Sequence, residues 1–149
     1  MTLIKQIKQL RQKTNISIME CKKALEKADG DEKKALKILE KSGQKKVMKK
    51  LSRETEQGLI EAYIHNNSKI GAILELSCET DFVAKNSQFK ELAHDLTMHI
   101  AALNPKDLKE LLKQPFIKDE QKTVEDLINQ TIAKLGENIK IRKFVRLEI

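Results

Sequence analysis

The sequence predicts an α+β protein, in which a small helical module precedes a core of helices packed on a small antiparallel sheet of about three strands. Two observations lead to this prediction. Apolar residues recur with helical spacing through residues 3–43. They then recur at every second position along residues 60–64 and 70–78, on either side of the polar turn NNSK, and again near the C-terminus, with helical spacing in between. We therefore predict two domains, residues 1–53 and residues 54–149.

The first helix of the N-terminal module is predicted from a single apolar face. This face consists of Leu3, Ile4, Ile7 and Leu10. The polar stretch TNIS interrupts the pattern, and Ser17 and Glu20 then have the spacing of a capping box, which marks the start of a second helix. The apolar face of this second helix, predicted to pack in the core, consists of Ile18, Met19, Cys21, Ala24, Leu25 and Ala28.

A third helix is predicted after a turn at Asp29 and Gly30, with Asp31 as its N-terminal cap. It is predicted to stop near Ser42 and Gly43, because glycine is common just after a helix. The residues that this helix is predicted to bury are Ala35, Leu36, Ile38 and Leu39.

The stretch QKKVMKKLSRE follows as a basic amphipathic segment, predicted to connect the two domains and to end at Gly58. Its apolar side is formed by Val47, Met48 and Leu51. Charge is divided unevenly: residues 1–53 carry 16 Lys and Arg against 6 Asp and Glu, whereas residues 54–149 carry 13 against 16. A basic module indicates a nucleic acid, an acidic lipid surface or an acidic protein as partner.

The second domain is predicted to open with a β-hairpin around the turn cluster NNSK. In the first strand, the apolar positions of the alternation are Ile60, Ala62 and Ile64. In the second strand, the residues that share one face are Ile70, Ala72, Leu74, Leu76 and Cys78.

Three helices and a closing strand are predicted to complete this domain. The helices end before Pro105, before Pro115 and at Gly136. The apolar face of the first is Phe89, Leu92, Ala93, Leu96, Ile100 and Leu103, and that of the third is Val124, Leu127, Ile128 and Ile132. The closing strand is predicted to have one apolar face, which is interrupted only by Lys143. Its members are Ile139, Ile141, Val145, Leu147 and Ile149.

No constellation of catalytic residues is found in the sequence. The only histidines are His65, His94 and His99. His94 and His99 are five residues apart, so they do not share a helical face as paired metal ligands would. We therefore expect the histidine side chains to be solvated or partly packed. The five glycines are scattered and form no phosphate-binding loop, and Cys78 has no evident histidine partner. We therefore expect no enzyme activity, no cofactor and no metal site.

The first residues, MTLIKQIKQL, alternate apolar and charged side chains too quickly for a secretory signal. No apolar run approaches the roughly 20 residues needed to cross a bilayer. We therefore expect a cytoplasmic protein, with an organelle-encoded copy as the alternative because no transit peptide is present. Cys21 and Cys78 are then expected to be free thiols.

Direct nucleic-acid binding is the less favoured hypothesis for the basic module. A compact basic patch is formed by Lys45, Lys46, Lys49 and Lys50. This region has no aromatic residue on which bases could stack and no arginine array that could recognise base edges. Binding to another protein is therefore the preferred class of function.

The stretch SCETDFVAKN, residues 77–86, is the strongest candidate for a protein-binding site. Either Thr80 or Asp81 can cap a short helical turn that begins at Phe82. Two interpretations remain open from the residues alone. Phe82 packs beneath the next helix, or the turn holds Phe82 outward, where burial in a partner would contribute roughly 1.5–3 kcal/mol.

Three stretches together resemble the bacterial elongation factor Ts family. SCETDFVAKN resembles the family's signature, LRQKTNISIMECKKALEKADGD resembles its first helices, and IAKLGENIKIRKFVRLEI resembles its closing helix and strand. The resemblance implies a ubiquitin-associated-like helical module followed by an α+β core. It also implies promotion of GDP release from elongation factor Tu, in a bacterial cytoplasm or an organelle.

The resemblance further implies which residues act. In the family a T-D-F-V segment intrudes near the magnesium ion and the nucleotide phosphates of elongation factor Tu and dislodges the ion. Here that segment is Thr80, Asp81, Phe82 and Val83. The family's N-terminal module grips the nucleotide-binding domain of elongation factor Tu. The matching positions are Ile18, Met19, Cys21, Lys22 and Lys23. Of these, Met19 and Lys22 are the principal expected contacts.

The sequence departs from the family pattern in two respects. TNIS replaces the usual T-G-A-G, and Glu20 replaces the usual Asp. The segment after Pro105 is much shorter than in most relatives. Family members with one core copy tend to pair, so the resemblance implies a homodimer, formed through an exposed sheet face. We expect no direct contact with nucleic acid or with a membrane.

Overall fold

The computed structural model of the protein describes residues 2–14 and 16–149. Asn15, within the predicted TNIS break, lies outside the described residues. The chain forms two compact units, Met1–Lys49 and Lys50–Ile149. The assignment of two domains as residues 1–53 and 54–149, each with its own role, stays a prediction.

Three helices build the first unit: α1 Leu3–Thr14, α2 Ile18–Lys27 and α3 Glu32–Lys50. Small and aliphatic side chains from all three helices form its core. The buried members are Ile7, Leu10, Cys21, Ala24, Leu25, Ala28, Ala35 and Leu39, with Ile16, Leu36 and Ile38 partly buried against them. The predicted three-helix module is therefore confirmed.

Local chemistry fixes where α2 and α3 begin. The Ser17 hydroxyl accepts a hydrogen bond from the Glu20 amide (3.3 Å) and donates one to the Glu20 carboxylate (3.0 Å). The Asp31 carboxylate accepts a bond from the amide three residues on, at 3.1 Å. Between the helices the chain turns through Asp29 and Gly30, whose φ angles are 51° and 82°. Both predicted helix starts are confirmed.

The prediction that α3 stops near Ser42 and Gly43 was wrong, because the helix continues to Lys50. Gly43 lies outside the left-handed region, and a methyl group added there would meet no atom within 4 Å. It is thus an ordinary interior residue of the helix. A single interior glycine costs about 1 kcal/mol, and the flanking lysines, glutamine and methionine favour the helix.

A short connector, residues 51–56, follows α3. Of the predicted apolar side of this region, Val47 is buried, whereas Met48 and Leu51 are exposed. The side-chain amide of Asn138 donates hydrogen bonds to the carbonyl groups of Leu51 (3.3 Å) and Arg53 (2.8 Å). These bonds hold the connector next to Asn138 within the second unit.

The second unit contains β1 Gln57–Ile64, β2 Ile70–Cys78, α4 Asp81–Ala84, α5 Ser87–Leu103, α6 Leu108–Lys113, β3 Pro115–Phe116, β4 Asp119–Thr123, α7 Val124–Leu135 and β5 Ile139–Glu148. Three strands form an antiparallel sheet in the order β1-β2-β5. The α+β fold and its three-stranded sheet are therefore confirmed. Gly58, predicted to end the connector, lies inside β1. The small hairpin of β3 and β4 was not predicted.

The two long helices of this unit end where the sequence predicted. α5 ends at Leu103, and Asn104 follows in the left-handed conformation (φ 48°). α7 begins with a capping box between Thr123 and Asp126 and ends at Gly136, whose φ is 77°. Glycine and asparagine are the residues that adopt this conformation most readily.

One face of the sheet packs against α5. On this inner face the pairing aligns Leu59, Glu61 and Tyr63 of β1 with Leu76, Leu74 and Ala72 of β2. The Tyr63 ring meets the imidazole of His94 on α5 with the ring centroids 6.1 Å apart. The predicted inward face of β2 is thus confirmed, and it covers the buried side of α5: Phe89, Leu92, Ala93, Leu96 and Ile100.

The predicted single face of β5 was wrong, because the strand contains a β-bulge. Glu75 pairs with Lys143 and Leu76 pairs with Ile141, so Arg142 is an extra residue in β5. One extra residue moves every later side chain to the opposite face of the sheet. Ile139 and Ile141 are therefore buried, whereas Val145, Leu147 and Ile149 are exposed.

The other side of the sheet, which we call the outer sheet face, presents apolar side chains to solvent. Its exposed members are Ile60, Ala62, Ile64, Ile73, Val145 and Leu147. Ile60 and Leu147 are 73% and 71% exposed. The solvent side of an antiparallel sheet is usually polar. A contiguous apolar patch of this kind indicates an interaction surface.

Candidate functional site

The stretch SCETDFVAKN forms the end of β2, the single helical turn α4 and the start of α5. Thr80 is the N-cap of α4, and its hydroxyl accepts a hydrogen bond from the Val83 amide at 3.3 Å. Asn86 then caps α5 by accepting a bond from the Gln88 amide at 2.8 Å. Of the two predicted caps, Thr80 rather than Asp81 takes this role.

The two halves of α4 have opposite environments. Val83 and Ala84 are buried, whereas Phe82 is 83% exposed. Asp81 is also exposed, and its carboxylate pairs with Lys85 at 3.0 Å. The interpretation that Phe82 packs beneath the next helix was therefore wrong. The turn is anchored by Val83 and Ala84 and presents an acid and an aromatic ring to solvent.

A carboxylate from a distant part of the chain holds this turn. Glu137 accepts hydrogen bonds from the Glu79 amide (3.1 Å), the Thr80 amide (3.0 Å) and the Thr80 hydroxyl (2.7 Å). In the opposite direction, the Glu79 carboxylate accepts a bond from the Asn138 amide at 2.7 Å. We call this set of bonds the Glu79–Glu137 latch. Sequence analysis missed it, because its partners are 57–59 residues apart.

Cys78, just before the latch, is a buried free thiol. Its sulfur donates a hydrogen bond to the Thr80 carbonyl at 3.2 Å. Burial, with a smaller contribution from the nearby Glu137 carboxylate, raises the pKa of the Cys78 thiol to about 11. Since the thiolate is the reactive form of cysteine, this residue is an inward structural side chain, as predicted, and not a nucleophile at neutral pH.

Four of the five candidate residues on α2 lie together on its surface. Ile18, Met19, Lys22 and Lys23 are all exposed and are spaced as neighbours on one helix surface. Their exposure corrects the prediction that Ile18 and Met19 face the core. Cys21, by contrast, is fully buried in the three-helix core. It cannot contact a partner without unfolding of the module.

An apolar groove in the first unit extends this surface. Its lining residues are Ile4, Ile7, Lys8, Arg11, Gln12 and Ile18. Leu3 and Ile4, predicted on the core face of α1, are exposed instead. The helical spacing that placed them there is correct, but three short helices do not cover the whole apolar stripe. The apolar stripe of α1 is wider than the face that the other two helices bury, and this excess was the signal that could have identified the groove.

The predicted basic patch, which the structure places on the C-terminal half of α3, is partly neutralised. Of its four lysines, Lys46 forms an ion pair with Glu20 of α2. This contact is the main reason that the pKa of the Glu20 carboxyl lies below its usual value. Lys45 and Lys49 are exposed. The patch is therefore a solvated helix surface with one internal ion pair.

His99 is fully buried, contrary to the prediction of solvated or partly packed histidines. Its Nδ1 accepts a hydrogen bond from the Ile117 amide (3.2 Å), which leaves Nε2–H to donate to the Gln114 side chain (3.0 Å). The ring stacks on Phe116 with centroids 5.9 Å apart. Burial lowers the pKa of His99, so the neutral ring is a structural element.

Groups of three or more potential metal ligands do not occur among residues 2–14 and 16–149. Within the same described part of the chain, helices long and apolar enough to cross a membrane are also lacking. A polar cleft lies at the start of β1 in the second unit, and residues that include Thr55, Ser77 and Arg142 line it. The Thr55 and Ser77 hydroxyls bond each other at 2.7 Å there.

The fold and the site first define a class: an α+β protein with an exposed aromatic ring on an anchored turn, the arrangement of a protein-binding factor. The sequence model described as Elongation factor TS matches residues 79–149. A protein named Elongation factor Ts from Oleidesulfovibrio alaskensis is 42% identical, with 96% of this chain and 95% of that protein covered. The chain belongs to the elongation factor Ts family.

Two further relatives named Elongation factor Ts support this assignment. The protein from Thermosipho melanesiensis is 39% identical, with 97% of each chain covered. The protein from Fervidobacterium nodosum is 40% identical, with 96% of this chain and 95% of that protein covered. These alignments span 188 to 190 positions, against 149 residues here. The relatives therefore contain residues that this chain lacks.

Proposed function

We propose that this protein promotes the release of GDP from elongation factor Tu by pressing the Asp81–Phe82 turn against the magnesium and phosphate site of that protein. Loss of the ion and disturbance of the phosphate site then allow GTP to bind. The observation that carries the proposal is the 83% exposure of Phe82 on a turn whose next two residues are buried. A ring fixed in this way can enter a partner without rearrangement of this chain.

Exchange of this kind is a coupling between two ligands of elongation factor Tu. If the exchange factor weakens GDP binding, GDP must weaken binding of the factor by the same amount. The factor must therefore stabilise a state of elongation factor Tu that holds magnesium and phosphate poorly. Burial of the Phe82 ring supplies roughly 1.5–3 kcal/mol, which corresponds to about a 10- to 150-fold shift. Departure of magnesium would remove much of the charge neutralisation at the phosphates.

The four residues of the T-D-F-V segment have different roles in this proposal. Asp81 and Phe82 are exposed and make the contact, and the carboxylate adds negative charge near the phosphates. Thr80 caps the turn and Val83 anchors it in the core. Substitution of Thr80 or Val83 would therefore act through the position of the ring.

The N-terminal module provides a second contact with elongation factor Tu in the proposal. Ile18 and Met19 offer exposed apolar surface, and Lys22 and Lys23 lie beside them. An excess of positive charge in residues 1–53 steers the module toward an acidic partner. The buried Cys21 supports α2 from inside. Residues 1–53 then serve for attachment and residues 54–149 for exchange.

The outer sheet face provides a homodimer interface in the proposal. A twofold pairing would bring the same apolar patch of two copies together, since such interfaces are self-complementary. Sheets of two subunits can pack face to face in the same way as the layers of a sandwich. The single core of this chain has α5 on the inner side of its sheet and solvent on the outer side.

The proposed activity requires no covalent chemistry by this chain, so we assign it no enzymatic reaction and no cofactor. It also requires no nucleic acid and no membrane. Because its partner works in translation, we place the protein in the cytoplasm.

The proposal is tested by following labelled GDP as it leaves elongation factor Tu of the same organism. We expect the protein to accelerate release strongly when magnesium is present in excess. With magnesium removed by a chelator, the additional acceleration should be much smaller, because the ion no longer has to be displaced. Unchanged release in both conditions would show that the protein is not an exchange factor. Equal acceleration with and without magnesium would retain exchange but exclude ion displacement.

A further inference from the structure

The carboxylate of Glu137 is the centre of the Glu79–Glu137 latch. We infer that Glu137 is a positioning residue for exchange, which acts on elongation factor Tu through Thr80 and the orientation of Phe82. The inference rests on the proposed function. Glu137 itself belongs to the junction between α7 and β5, and the structure gives it three hydrogen bonds to residues 79 and 80.

The Thr80 hydroxyl links Glu137 to α4. A hydroxyl has one proton to donate and lone pairs that accept. The proton is donated to Glu137 at 2.7 Å, and the oxygen accepts the Val83 amide at 3.3 Å. A hydroxyl whose proton is donated to a carboxylate becomes a better acceptor, because hydrogen bonds in a chain polarise one another. Glu137 thereby fixes the orientation of the cap that begins α4.

α4 depends on such support because it is a single turn, Asp81–Ala84. Isolated helices of this length are not stable in water. Burial of Val83 and Ala84 anchors one side of the turn. Phe82 cannot contribute to the anchor, since it is exposed. The cap at Thr80 therefore holds the start of the turn, where the exposed Asp81–Lys85 ion pair acts beside it.

Glu137 is itself held in place. It follows Gly136, which ends α7 in the left-handed conformation. The next residue, Asn138, is fully buried and donates its amide to the Glu79 carboxylate at 2.7 Å. The Asn138 side chain also bonds the carbonyl of Arg53 at 2.8 Å. The carboxylate thus comes from a fixed part of the fold, as a positioning residue requires.

The test is a double-mutant cycle between Glu137 and Phe82. Glu137→Ala should lower the maximal rate of GDP release about tenfold or more, because it removes charged hydrogen bonds to the turn. The half-saturating concentration should change less, since the N-terminal contact remains. In a Phe82→Ala background, Glu137→Ala should have no further effect, because the ring that it positions is gone. Equal losses in both backgrounds would overturn the inference.

Two variants separate positioning from general stability. Glu137→Gln keeps an oxygen for the two amides but places an amide nitrogen toward the Thr80 hydroxyl, so its exchange rate should lie between wild type and Glu137→Ala. Asp126→Ala removes a carboxylate from the cap of α7 in the same unit. It should leave the exchange rate unchanged. A loss with Asp126→Ala as large as that with Glu137→Ala would overturn the inference.

Hydrogen exchange of the Val83 amide in the free protein requires no elongation factor Tu. Glu137→Ala should increase this exchange at Val83 while amides of the α5 interior keep their protection. Unchanged protection at Val83 would overturn the positioning role. If the wild-type protein does not accelerate GDP release, the proposed function fails, and the Val83 measurement still decides whether Glu137 orders the turn.

Discussion

The Thr80 hydroxyl donates a 2.7 Å hydrogen bond to Glu137, a residue 57 positions further along the chain. This bond joins the turn that presents Phe82 to the junction of α7 and β5. The most exposed part of the candidate site therefore depends on a contact between residues far apart in the sequence. Such an arrangement lets a small core hold an aromatic ring in solvent without a lid or a neighbouring helix over it.

Substitutions at the adjacent residues Phe82 and Val83 should differ in their effect on stability, because Phe82 is exposed and Val83 is buried. Phe82→Ala should reduce GDP release from elongation factor Tu by about 10- to 150-fold, with the free energy of unfolding nearly unchanged because the ring is exposed. Val83→Ala should lower the free energy of unfolding by about 1.5–3 kcal/mol, since it removes buried methyl groups. Exchange kinetics and urea denaturation measure the two effects. A Phe82→Ala variant that unfolds would contradict the assignment of the ring to the surface.

The same Gly→Ala substitution should have opposite effects at two positions. At Gly58, φ is 151° and an added methyl carbon would lie 2.1 Å from the Leu76 carbonyl oxygen. Gly58→Ala should therefore destabilise the second unit by on the order of 3 kcal/mol. At Gly43, inside α3, the methyl group would meet no atom within 4 Å. Gly43→Ala should stabilise the first unit by about 0.5–1 kcal/mol.

Urea denaturation can assign these effects to their units. Tyr63, the only tyrosine of a chain without tryptophan, lies in β1 and reports on the second unit by its fluorescence. Circular dichroism follows the helices. The unfolding transition followed by Tyr63 fluorescence should shift to lower urea concentration only in Gly58→Ala. If Gly43→Ala lowers stability, the interpretation of Gly43 as an unstrained helical residue is wrong.

Elements whose signals lie within a few residues could be predicted from the sequence. Ser17, Asp31, Thr80 and Gly136 each sit beside the helix end that they define, and their capping bonds span three or four residues. The hairpin of β1 and β2 follows from alternation on both sides of a polar turn. In these cases local chemistry and the final fold agree.

The features that escaped prediction depend on distant partners. Arg142 bulges from β5, and its guanidinium donates to the carbonyl of Thr55 in the connector. Alternation in the sequence gives no sign of this extra residue. In the sequence, Glu137 is likewise only an acidic residue after a predicted helix end. Its role is visible only from its hydrogen bonds to Thr80 in the structure. The fold class was therefore predictable, whereas the outward direction of Val145 and Leu147 was not.

The outer sheet face should make the protein a dimer in solution. Light scattering at micromolar concentration is expected to give twice the 17.1 kDa chain mass. Ile73→Glu places a charge in the centre of this face, where the pairing puts it between Ala62 and Val145. The variant should be monomeric and folded, because burial of an unpaired charge in an interface is unfavourable.

Ile18→Glu is the matched control, since Ile18 is similarly exposed but lies on α2 of the first unit: 54%, against 50% for Ile73. It should remain dimeric and bind elongation factor Tu less tightly. A wild-type monomer at micromolar concentration would exclude the homodimer. If Ile73→Glu instead weakens binding of elongation factor Tu without a change in mass, the outer sheet face is a second site for that partner.

The buried His99 should make the second unit less stable in mild acid. The pKa of His99 in the folded protein lies below its ordinary value of 6.5, mainly because of burial. Below pH 6.5 the unfolded chain therefore binds a proton that the folded chain does not, so the free energy of unfolding falls as pH decreases. Protonation of the ring would also place a proton on Nδ1, which now accepts the Ile117 amide at 3.2 Å.

Denaturation followed by Tyr63 fluorescence between pH 7 and pH 5 should show this fall in the free energy of unfolding. The fall should be smaller in His99→Asn, which has no titratable ring. An NMR titration of the His99 ring with a midpoint at or above its ordinary value would contradict the prediction.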